Sequence, residues 1–248
     1  MGNGKPAQSV EDVQRLLRQC IDVASAENSP LGYFPVLHLE ATRELLKAAS
    51  SGVFERPTRL RQTIVVLANR YFVAWERFRA GKPTTKTWGL AFDASRSPSL
   101  VASQHVLLAL SAQLNLDLGI AISETGLLGE DYERVVDIVS RGVERMRVKL
   151  TRTSFLMKTM GGCHCSFDEQ FAVFSMKAAR KNAMLIALGL QDLSGDELLA
   201  AMREVDEDAT LLGRRILRPG FTAQVLLAAA RMTEQTQSPR QLIELLAR

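Results

Sequence analysis

Residues 97–123 read SPSLVASQHVLLALSAQLNLDLGIAIS, and Asp117 is the only Asp, Glu, Lys or Arg among them. Drawn as a helix, the run carries apolar residues on every side, the mark of a helix buried all round. Six polar residues are nevertheless set into it: Gln104, His105, Ser111, Gln113, Asn115 and Asp117. A buried polar group left unpaired costs roughly 1–3 kcal/mol, so these six imply a closed hydrogen-bond network or a wet pocket. The stretch is long enough to cross a bilayer, but its polar residues make spanning costly. It is expected to be the core helix of a protein that does not enter a membrane.

Working outward, helix punctuation recurs along the chain. Ser9 with Asp12, Ser166 with Glu169, Ser194 with Glu197 and Ser238 with Gln241 each set a capping hydroxyl three residues before an acid or amide. Ser29-Pro30 and Ser97-Pro98 add two further starts. These signals, with breaks at Gly81-Lys82-Pro83, Gly126 to Gly129, Gly161-Gly162 and Pro219-Gly220, predict helices over 9–27, 31–51, 57–80, 84–95, 98–125, 130–160, 166–190, 194–217, 221–235 and 239–247. No segment alternates as a strand. The expectation is an all-α fold, a single multi-helix domain over 1–248 packed around 98–125, with residues 1–8 disordered.

Composition narrows the functional classes. The 248 residues are 46% apolar and 23% charged, with a formal charge of +4, so the chain has material for a sizeable core. Its basic residues are interleaved with acids, as in Glu144, Arg145, Arg147 and Lys149. That spacing describes a solvated helix face, and no nucleic-acid partner is expected. MGNGKPAQS at the start lacks the apolar core of a signal peptide. Cys20, Cys163 and Cys165 form no disulfide framework, which predicts reduced thiols and a cytoplasmic location.

Candidate chemistry centres on Asp117. A lone carboxylate in an apolar helix must find a cation, gather hydrogen bonds or stay protonated. Arg70, beside Asn69 and Tyr71, is the candidate cation. A carboxyl with a displaced pKa in a cavity can serve as an acid or base, and a salt-bridged one can serve as a structural lock. On a regular helix Gln104, Ser111 and Asn115 project together, Gln113 and Asp117 lie opposite, and His105 falls between. Cys163-His164-Cys165 concentrates metal-ligating types, but its spacing does not match a structural zinc site, and it reads as a tight loop. Asp206-Glu207-Asp208 reads as a solvated face. Nucleophile elbows, Walker loops and dinucleotide fingerprints are absent.

Together LANRYFVAW (67–75), WGLAFD (88–93), QHVLLALSAQLNLDLGIA (104–121), FSMKAAR (174–180) and LGRRILRPG (212–220) give the chain a family likeness. It resembles an uncharacterised all-helical bacterial family of unknown function with an H-x-N-x-D-L-G motif. The resemblance implies one helical domain and no established activity. Gln113 stands where that pattern has its His, and Ile64 where it has an Asp. If the family pattern holds a metal, the resemblance implies that His105 and Asp117 are retained here and two ligands lost.

The leading expectation is therefore a metal-independent, cofactor-free enzyme, a lyase, isomerase or cyclase, working on a largely apolar small molecule. Asp117 and His105 would be its acid and base, and Asn115, Gln104, Gln113, Asn69, Arg70 and Trp88 would line the substrate pocket. A non-catalytic helical protein binding a ligand or partner is the alternative, and a metal-dependent hydrolase the third. Oligomeric state is not readable from the sequence.

Overall fold

The computed structural model describes residues 5–153, 175–221, 224, 227, 228, 230, 231 and 237–248. Among these the chain is helical, with no strand. In order come α1 (Val10–Ala26), a 3₁₀ turn (Pro30–Gly32), α2 (Tyr33–Ser50), α3 (Pro57–Arg79), α4 (Lys86–Asp93) and a second 3₁₀ turn (Ala94–Arg96). Then follow α5 (Ala102–Ala112), a π-helical turn (Gln113–Asp117), α6 (Leu118–Thr125), α7 (Glu130–Thr153), α8 (Met176–Leu190), α9 (Gly195–Leu217) and α10 (Pro239–Leu246).

The capping signals explain several of these boundaries. Ser9 Oγ accepts the Asp12 N–H at the start of α1, and Ser238 and Gln241 cap each other reciprocally at the start of α10. The Ser166 cap lies outside the described residues. Ser97-Pro98 does not open the central helix; α5 begins at Ala102, where the Gln104 side chain accepts the Val101 N–H at 3.3 Å.

Two caps come from distant residues. Asp206 on α9, expected on a solvated face, is 8% exposed and accepts the N–H groups of Lys86 and Thr87 at 2.7 and 2.9 Å. It also accepts the Thr87 hydroxyl, so it closes the first turn of α4. Asp131 on α7 does the same for α3 through the N–H groups of Glu55 and Arg56. Both acids meet a helix N-terminus, where the dipole favours negative charge.

α5, the π turn and α6 form one continuous rod through the middle of the fold. Every residue from Val101 to Ile122 is buried, and 94% of its most apolar window lies inside the protein. α2, α4 and α9 pack on α5, and α3 and α8 pack on α6. Gly119 permits the α6–α8 crossing: a Cβ there would stand 2.6 Å from Ile186 Cβ and 2.9 Å from the Ala183 carbonyl oxygen. An aromatic cluster of Phe34, Tyr71, Trp75, Trp88 and Phe92 fills the space between α2, α3 and α4.

Disorder does not extend to residue 8 as the sequence suggests. Ala7 is 3% exposed, and the Asn69 amide holds both its N–H and its carbonyl, at 2.8 and 3.0 Å. Cys20 is a buried free thiol, pushed up to about 12 by burial. Cys163, His164 and Cys165 lie outside the described residues.

Candidate functional site

Between Gln113 and Asp117 the central rod widens into a π turn, which accommodates one more residue per turn than its α-helical flanks. This shifts the side-chain phase, so positions beyond the turn do not follow the regular-helix projection. Asp117 meets α3 and α4: Oδ1 accepts Arg70 Nε at 2.7 Å and Oδ2 accepts Trp88 Nε1 at 2.7 Å. Asp117 is 1% exposed, and burial raises its carboxyl above the usual range. The Arg70 charge and the two donated hydrogen bonds pull it back in part, while Asp206 pushes it up further. The cation expected from the sequence is thus the one found, and each carboxylate oxygen carries a protein donor.

Most of the other sequence-predicted site residues are also engaged with the protein. Gln104 Nε2 donates to the Ile216 carbonyl at 3.1 Å while its oxygen caps α5. Asn115 Nδ2 donates to Ser111 Oγ at 3.4 Å. Asn69 holds the N-terminal segment, and Trp88 serves Asp117. His105 stands apart from this set, edge-on to Tyr33 with ring centroids 6.1 Å apart, bordering a surface cleft. Burial lowers its pKa to about 4. Asp117 and His105, paired by the sequence reading as acid and base, therefore do not share a cavity: Asp117 borders neither this cleft nor the cavity described next.

Gln113 leads to a different place. Its Nε2 donates to the Leu67 carbonyl at 3.2 Å, which turns Oε1 toward the remaining space, where that oxygen is buried with no hydrogen-bond partner. Gln113 lines an apolar cavity of about 70 Å³ enclosed by α2, α3, the central rod, α7 and α8. Phe34, Leu37, Leu45, Leu60, Ile64 and Val136 supply much of its wall. His38 lines the same cavity, and its Nδ1 is likewise buried without a partner. Burial lowers the His38 pKa to about 4, so its imidazole is neutral at pH 7.

An apolar wall carrying two unsatisfied polar atoms is the usual character of a small-ligand site. Sequence reasoning found Gln113 but missed His38, whose one signal is its position as the lone titratable side chain in YFPVLHL (33–39) on α2.

Metal chemistry has little to build on among the described residues, where no group of three or more His, Cys, Asp or Glu is gathered. Asp117 has both oxygens committed to Arg70 and Trp88, and His105 lies on the cleft side of Tyr33.

The fold and this cavity define an all-helical protein with a fully buried central rod and a small apolar chamber against its π turn. The chain belongs to a family of unknown function, DUF5995, which it matches over residues 10–219. No curated protein and no solved structure matches it. Ile64 and Gln113, the two positions at which the sequence departs from the pattern it resembles, both line the chamber. They are not neighbours of a shared His105 and Asp117 centre.

Proposed function

We propose that this protein binds a small, largely apolar molecule carrying a hydrogen-bond donor in the cavity beside the π turn. The observation that carries the reading is the pair of orphaned atoms, Gln113 Oε1 and His38 Nδ1, in an otherwise apolar wall. Gln113 Oε1 can only accept, so the ligand must bring an O–H or N–H to it. The neutral His38 ring can donate or accept at Nδ1 according to its tautomer. Acid–base chemistry at Asp117, the leading expectation from the sequence, is less favoured because a substrate would have to displace Arg70 or Trp88 to reach it. An enzymatic reading instead moves to His38, a neutral base bordering the chamber.

Phenol and benzene make a matched test, measured by titration calorimetry. Phenol is expected to bind roughly tenfold more tightly, the worth of one hydrogen bond of about 1.4 kcal/mol. Gln113→Leu should erase that preference while changing stability by no more than about 1 kcal/mol, because it removes an unsatisfied acceptor along with one hydrogen bond. Equal binding of the two molecules by the unaltered protein, or no binding of either, would overturn the reading.

A further inference from the structure

α2 and α5 pack against each other, and the faces they share border three spaces in succession. On α5, His105 borders both a surface cleft of about 310 Å³ and a void of about 20 Å³ behind it. Ala109 borders the void, and Gln113 borders the apolar cavity. These three residues are four apart, hence on one helix face, and span roughly 12 Å at 1.5 Å per residue. On α2 the same order holds. Tyr33 borders the cleft, Phe34 both the void and the cavity, and His38 the cavity. One Phe34 ring thus stands between void and cavity.

The cleft has a chemistry unlike the cavity. Arg231, Arg96, Ser97 and Gln237 border it, and none of its described lining residues is Asp or Glu. Arg231 Nε is buried without a hydrogen-bond partner. Arg96 is partly engaged, its guanidinium 3.7 Å from Asp93 and 5.1 Å over the Phe78 ring, so Arg231 is the principal free cation of the cleft. An unpaired guanidinium in a partly enclosed site is suited to a carboxylate, which it can hold through two parallel hydrogen bonds.

We infer that the ligand is an amphiphilic carboxylate, its head held by Arg231 in the cleft and its apolar chain lying past Ala109 and Phe34 into the cavity. The inference rests on the ligand-binding reading of that cavity and adds the ligand's class and orientation. The roughly 12 Å between His105 and Gln113 corresponds to a chain of about eight to ten carbons at bond lengths near 1.5 Å. The Phe34 ring must swing aside for the chain to pass, a side-chain rotation rather than a backbone movement.

Titration of the full-length protein with decanoate, acetate and phenol tests this. Decanoate should bind at least a hundredfold more tightly than acetate. Arg231→Gln, a partly exposed position, should weaken decanoate at least tenfold and leave phenol unchanged. Ala109→Leu should weaken decanoate and spare phenol, with circular dichroism confirming the fold. Phenol binding without decanoate binding overturns the head-and-chain inference and leaves the cavity reading intact. Decanoate binding that Arg231→Gln does not affect overturns the placement of the head. Failure of both ligands removes the cavity reading and this inference together.

Discussion

Asp117 ties three elements together through two oxygen atoms: α3 through Arg70, α4 through Trp88, and the central rod to which it belongs. Burying that carboxylate is costly, and the raised pKa of the group records the cost. The pair is therefore weak evidence of net stabilisation, yet breaking it leaves the half-buried Arg70 guanidinium without its counter-charge. Asp117→Asn is expected to lower stability by about 3 kcal/mol in urea denaturation, with phenol affinity of the folded fraction unchanged. A stable Asp117→Asn protein that had lost its ligand would restore Asp117 to the binding site. At the same scale, the sequence made the Asp117–Arg70 partnership legible, because a lone charge in an apolar helix must be answered and Arg70 lies on a neighbouring half-buried helix. It could not reveal that Gln113 and His38 share a chamber. They are 75 positions apart by number, and their meeting depends on how α2 crosses the rod.

At the scale of elements, the start and stop signals placed the helices closely: 57–80 was expected where Pro57–Arg79 is found, and 194–217 where Gly195–Leu217 is found. Local chemistry decides such boundaries, and local chemistry is what a sequence displays. Ser97-Pro98 misled because Gln104 offers the Val101 N–H a better-placed acceptor, and α5 starts there instead. Asp206 was read as solvated because nothing in its own helix announces that it caps α4. The tightest crossing between elements is also the most demanding. Gly119→Ala would press a methyl group against Ile186 Cβ and the Ala183 backbone, neither of which can turn away. A loss of about 1–3 kcal/mol is expected, read as a lower melting temperature, since overpacking of this kind forces a backbone shift. An unchanged melting temperature would mean that α8 is free to slide along α6.

For the molecule as a whole, the two buried imidazoles set the response to acid. His38 and His105 take up protons near pH 4 in the fold but near 6.5 when unfolded. Between those values protons favour the unfolded chain, so stability that is full above pH 6.5 falls as the pH drops toward 4, by roughly 3 kcal/mol for each histidine. Asp117 acts in the opposite sense, since its raised pKa lets the folded protein bind that proton first. Melting temperatures measured from pH 7 to pH 4 should therefore fall, and His38→Gln with His105→Gln should flatten the curve. A curve equally steep in the double variant would place the acid sensitivity elsewhere. The π turn carries a different consequence, one of chain length. Removing one residue between Gln113 and Asp117 would turn everything after it by about 100°, carrying Gly119 away from α8 and Asp117 away from Arg70 and Trp88. The stretch can exchange one side chain for another, but it cannot be shortened: its register is the hinge pin on which both halves of the rod keep their separate partners.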